Sequence, residues 1–203
     1  MDNLIDLTPL FYGGNRFSAL GGLIDGSMRA LKRKYMPDDA LAEEFFSYAA
    51  EILADPDFAA SRNWVQHGCT SVYDHSIQVA FAAFCVGAKL RRPVRLKELV
   101  RGALLHDYFG YDWHEKGGGH RLHGFLHPRR ALRRASAKYD LTATEKGIIL
   151  RHMWPLTFLP PLSREAWIVA AVDKACALNE IIEKYLSSSG IECRWRRLAR
   201  TRA

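Results

Sequence analysis

Apolar residues recur along this chain at three- and four-residue steps, the spacing of helices that bury one face. No stretch alternates long enough to predict a strand. From Asp38 to Leu53, the residues Leu41, Phe45, Ala49, Ile52 and Leu53 make one such stripe behind an Asp cap. Ser71 with Asp74 resembles a capping box and opens a second helix, whose buried side draws on Val72, Ile77, Ala80, Phe81 and Phe84. A third helix starts near Arg95 with Leu96, Leu99, Val100, Ala103 and Leu104 on one side, and delivers His106 and Asp107 at its C-terminal end. Gly110 and the run Gly117 to Gly119 predict a loop over 108–120, placed to form a substrate lip. The next helix is expected from Pro128 to Tyr139, with proline at the first position, where its missing N–H goes unnoticed. Thr142 and Glu145 form a capping box ahead of Ile148, Ile149 and His152, and Pro155, Pro160 and Pro161 end that helix. The last long helix runs from Ser163 to Leu186 with Ile168, Ala171, Val172, Ala175 and Leu178 on its apolar side. The fold class that follows is all-α, without internal repeat or low-complexity segment.

A length of 203 residues suits one well-buried core rather than two small ones. Within that single domain we expect an N-terminal helical extension packed on the core over residues 1–60, a core over 61–186 and a basic tail over 187–203. Hydrophobic residues at 48% and charged residues at 25% exclude a disordered or fibrous chain. Lys and Arg exceed Asp and Glu by 29 − 22 = 7, which favours anionic partners, phosphorylated compounds first among them. Nucleic acid ranks last, because the basic stretch with an aromatic at Arg194 to Arg200, around Trp195, is the kind of tail that is usually solvated. Cys69, Cys85, Cys176 and Cys193 show no CxxC spacing and read as packing residues in a reducing compartment. The longest apolar run, Val79 to Ala88, is about half of what a bilayer requires, and the N-terminus lacks a signal-peptide pattern. A cytoplasmic protein, free of the membrane and open to homo-oligomerisation, is expected.

Charged side chains inside apolar helical patterns carry the chemistry. Asp173 is flanked by Ala170, Ala171, Val172 and Ala175, where an unpaired carboxylate would cost several kcal/mol or take up a proton. Lys174 points about 100 degrees away around the helix and is a poor partner, so a metal ion is the better one. His106 and Asp107 pose the same question. Consecutive helical residues diverge, so an ion held by both must lie between helices, and His75 from the preceding helix can complete its shell. A single histidine is more often a satisfied core residue than a ligand. Helix-borne candidates at several positions, all with the same need, argue otherwise.

The order His75, His106-Asp107, Asp173 resembles the HD-domain superfamily of mostly metal-dependent phosphohydrolases with an all-α core, over about Trp64 to Ile182. His127 and His152 lie where its two-metal branch places further ligands. The stretches LLHDYFGYDWH, HGFLHPRRAL and RHMWPL are similar to small bacterial HD proteins whose substrate is unassigned. The resemblance implies that His75, His106, Asp107 and Asp173 hold one metal, and that Asp107 bridges to a second ion held by His127 and His152, with His106 and Asp107 as the catalytic pair. It departs from the family in lacking the HDIG form after the doublet and in having one histidine, not two in a row, at 152.

One or two divalent ions would bring a bound water toward deprotonation and polarise a phosphoryl oxygen, giving a phosphohydrolase for a small anionic substrate, a nucleotide among the options. Mixed imidazole and carboxylate donors suit Mn, Fe, Zn, Co or Ni and do not select among them. Substrate-side candidates are His67, Asp112, His114, His123 and Lys174. His123 and His127 have the i, i+4 spacing of a metal pair, but Gly124 and Pro128 speak against a helix across them, so His127 is taken as the ligand. Two alternatives stand beside this reading: a di-iron oxygenase, since such enzymes on the HD core resemble the chain in their ligand order, and a non-catalytic module that binds metal and nucleotide.

Overall fold

The computed structural model describes residues 39–67, 70–115 and 122–187, with side chains from 43 to 181 within them. Residues 1–38, Cys69, the glycine run 117–119 and the Arg-rich tail beyond 187, all named above, lie outside it. Among the described residues the helices are α1 (Asp39–Leu53), α2 (Pro56–Ala60), α3 (Val72–Lys89), α4 (Leu96–Leu105), α5 (His123–Lys138), α6 (Ala143–Arg151) and α7 (Arg164–Ser187). A short 3-10 turn, Ser61–Asn63, leads into an antiparallel pair of strands, β1 (Val65–His67) and β2 (Thr70–Ser71). The described residues are therefore mostly helical, and their strands, at three and two residues, are too short to leave an alternation in the sequence. No helix among the described residues is long and apolar enough to cross a membrane.

The middle of the molecule is α4, which packs against α1, α3, α5, α6 and α7. Phe45, Ile52, Phe84, Leu99, Leu104 and Ile148 are fully buried around it. Gly102 permits the closest approach: a Cβ there would lie 2.6 Å from Ile148 Cδ1 and 3.0 Å from its Cβ, so a methyl group would push α4 off α6. Polar contacts tie the same helices together. Thr142 caps α6 in a full capping box with Glu145, whose carboxylate also takes the Arg101 guanidinium of α4 at 2.6 Å. Arg101 reaches Glu51 of α1 as well.

Two expectations need correction. α5 starts at His123 rather than Pro128, because proline as the sixth helical residue deprives only the Gly124 carbonyl of its partner, while Leu122 O already accepts from Phe125 and Leu126. The ring of Pro128 is buried along with His127, Ala131 and Ala135. On α7 the buried stripe is Ala166, Val169, Ala170, Asp173, Cys176 and Glu180, with Val172 beside it. Ala171 and Leu178, assigned to the apolar side, face solvent. Hydropathy misplaced this stripe because two of its members are carboxylates whose partners lie on α3 and α4.

Asp55, which caps α2, joins distant parts of the chain: it is buried and accepts from the Asp57 amide, both phenols Tyr108 and Tyr139, and the Lys138 ammonium. Burial raises its pKa, but the Lys138, Tyr108 and Tyr139 hydrogen bonds outweigh it and hold the carboxyl well below the usual carboxylate range. A depressed folded pKa means stability that is fully present above the unfolded value of about 3.9 and is lost as pH falls below it. Asp55→Ala is expected to cost about 3 kcal/mol in urea unfolding at pH 7 and distinctly less at pH 2.5. An equal loss at both pH values would show that the charge plays no part.

Candidate metal centre

Six side chains from five helices and their ends meet in the interior. His75 lies in the first turn of α3, behind the Ser71 cap whose Oγ accepts from the Asp74 amide. His106 occupies the C-cap of α4, and Asp107 follows it into the loop. His127 comes from α5, His152 from the C-cap of α6 and Asp173 from the middle of α7. All six are buried.

The orientation of each imidazole is set by its Nδ1. His106 Nδ1 lies 2.7 Å from Ala103 O, His127 Nδ1 2.9 Å from His123 O, and His152 Nδ1 2.8 Å from Ile149 O. His75 Nδ1 lies 2.9 Å from Glu180 Oε1. Each of these partners accepts only, so every Nδ1 carries its proton and donates, and every Nε2 is the atom left to bind a cation or a second proton.

The four Nε2 atoms converge on the two aspartates. His75 Nε2 is 3.1 Å from Asp173 Oδ1, and His106 Nε2 is 3.7 Å from that oxygen and 3.3 Å from Asp107 Oδ2. The other oxygen, Asp107 Oδ1, lies 3.2 Å from His127 Nε2 and 3.7 Å from His152 Nε2. Asp107 thus turns one oxygen to each half of the cluster. The donor atoms of His75, His106 and Asp173, and again those of His106, Asp107 and His152, lie within 4.8 Å of one another.

These residues fit divalent ions on evidence of their own. His106 Nε2 and Asp107 Oδ1 are buried without a hydrogen-bond partner, since the approaches just given lack hydrogen-bond geometry. His127 Nε2 and His152 Nε2 stand 2.8 Å apart, a separation at which two ring nitrogens need a proton or a cation between them. Protons alone can do part of the work. Burial pulls both His75 and His106 down, but Glu180 and Asp173 hold His75 well above its usual pKa, while Asp107 and Asp173 hold His106 up at about 9. Burial works against Asp107 and Asp173 too, and the facing imidazoles keep both well below the carboxylate range. Burial, with His106 and His127 as neighbours, pushes His152 down to about 3, leaving it an open nitrogen ligand.

Beside the centre opens a cavity of about 680 Å³. Of the expected substrate-side residues, His67, His123 and Lys174 line it. Asp112 and His114 do not: they pair with each other at 3.5 Å on the surface, and Trp113 between them lines the cavity instead. His123 shares a helical face with His127, ring on ring at 4.7 Å and 19°, and its Nδ1 is 3.0 Å from the Tyr111 hydroxyl. Lys174 departs from its reading as a poor neighbour, because its flexible stem brings Nζ to 3.6 Å from Asp173 Oδ2 and 2.6 Å from the His152 carbonyl.

Two residues escaped sequence reasoning. Glu180 orients His75 and lies seven residues beyond Asp173, two helical turns along the same face, a spacing that could have revealed it. Gln66 donates from its amide to Asp107 Oδ2 across the β1 strand, and nothing in the pattern around it signals that role. No protein-family model matches the chain, and no curated protein or solved structure resembles it at a significant level.

The raised His75 and His106 are protonated at neutral pH without a cation, so a metal ion must displace their Nε2 protons. Calorimetric titration with Mn at pH 7 in buffers of different ionisation enthalpy should report release of between one and two protons, and affinity rising from pH 6 to pH 9. Uptake with no proton release would contradict this arrangement. Glu180→Ala, which frees the His75 ring, should weaken metal affinity about 10- to 100-fold with little change in helix content by circular dichroism.

Proposed function

We propose that the protein is a metal-dependent phosphohydrolase of the HD type, acting on a small phosphorylated compound in the cavity beside the six-residue centre. The observation that carries this reading is the convergence of four Nδ1-anchored imidazoles and two carboxylates on one buried point that opens to a cavity. The helical setting agrees with it: a His one helix before the His106-Asp107 doublet, and an Asp on a late helix.

His75, His106, Asp107 and Asp173 would hold one ion, and Asp107, His127 and His152 a second. Divalent ions bound there supply Lewis acidity toward a phosphoryl oxygen and bring a water molecule close to deprotonation at neutral pH. The chain's own groups do the rest. Lys174 places an ammonium at the cavity wall and draws the phosphate toward the centre. Glu180 and Gln66 keep His75 and Asp107 aimed. Burial, with His75 beside it, lowers His67, which therefore lines the cavity as a neutral imidazole whose free ring nitrogen can accept a proton from an attacking water.

A second reading, a di-iron oxygenase, stands beside it, because four imidazoles and two carboxylates admit Fe(II) along with Mn, Zn, Co and Ni. Metal analysis of protein purified without chelators, followed by phosphate release from phosphomonoesters and phosphodiesters with Mn, separates the two. The hydrolase reading expects turnover in wild type, loss of both metal and turnover in Asp107→Ala, and retention of both in Cys176→Ala. Oxygen uptake that depends on Fe(II), without phosphate release, would establish the oxygenase in its place, and full activity in Asp107→Ala would falsify the site.

A further inference from the structure

The cavity is lopsided in its chemistry. One side is the polar centre itself, where Asp107, His127, His152 and Asp173 reach the surface of the cavity. Much of the remaining lining is apolar, with Trp113, Met153, Pro155, Leu156 and Ala177. Among the described lining residues Lys174 is the single Lys or Arg, and it donates to the His152 carbonyl and stands by Asp173.

Trp113 gives the apolar wall a flat, rigid element. Its indole lies parallel to the His123 ring, 4.9 Å away at 7°, and His123 stacks in turn on His127. This stack fixes an aromatic plane at the edge of the metal ligands. Leu156 closes the far side: a Cβ on Gly124 would lie 3.2 Å from its Cδ2, so the start of α5 and the loop after α6 meet there. The cavity's volume is in the range that accommodates one compact organic molecule.

Resting on the phosphohydrolase reading of this centre, we propose that its substrate is a monoester whose phosphate is carried on an aromatic or other compact apolar body. The phosphate meets the metal ligands and Lys174, and the body lies along Trp113, Met153 and Leu156.

Non-hydrolysable phosphonates test this apart from turnover. Calorimetry on the Mn-loaded full chain would compare benzylphosphonate and methylphosphonate. Benzylphosphonate is expected to bind about 10-fold more tightly than methylphosphonate. Leu156→Ser, at a position already 45% exposed and so tolerant of a polar group, should cut the benzyl advantage several-fold and leave methylphosphonate unchanged. Equal affinity for benzyl- and methylphosphonate, or no binding of benzylphosphonate at all, would each overturn the proposal. If the phosphonate preference holds but benzyl phosphate releases no phosphate, the ligand class stands and hydrolysis is what fails.

Discussion

Everything in this molecule turns on nitrogen lone pairs and carboxylate oxygens being made to face one another in its interior. Four imidazoles spend their Nδ1 protons on acceptors behind them, three of these being main-chain carbonyls and one Glu180. Their Nε2 atoms are then left pointing at Asp107 and Asp173. Such an arrangement repels itself unless positive charge enters it, as protons on His75 and His106 or as metal ions in their place. The fold must be strong enough elsewhere to tolerate that tension. The buried aromatic and aliphatic layer around α4, the tight α4–α6 contact at Gly102 and the many-handed Asp55 supply this strength at a distance from the centre.

The same crowding divides labour within the site. Asp107 sends one oxygen to His106 and the other to His127 and His152, so it belongs to both halves, whereas Asp173 serves His75 and His106. The residues that keep these ligands aimed are polar and buried, and the residues that shape the cavity wall are apolar and partly open. Metal-ligating donors and an apolar surface are thus carried by different residues of one cavity.

Much of this was legible in the residues alone because burial rules are strict. A carboxylate among alanines at 173 and a His-Asp pair ending an apolar run have few physical excuses, and the structure does bring them together with His75, His127 and His152. What was illegible depended on contacts between elements. Proline marked the wrong start for α5, since losing one carbonyl partner is a smaller matter than burying the Pro128 ring and His127. The stripe of α7 was misread because its inward residues are partly acidic, and Glu180 went unnoticed for the same reason. Gln66 was invisible, because a glutamine on a three-residue strand looks like any surface residue until Asp107 is placed beside it. Trp113 was passed over for the more obviously chemical Asp112 and His114, which face outward.

Glu145 closes the cap that starts α6 and at the same time grips Arg101 in the body of α4, with Glu51 of α1 on the guanidinium's other side. The start of α6 is thereby pinned to the middle of α4, while the C-terminal ends of the two helices deliver His152 and the His106-Asp107 doublet. Helices are stiff, so a small change of angle at the start of α6 becomes a larger displacement roughly 13 Å away at His152. A salt bridge that touches none of the six converging side chains thus bears on how far apart they stand.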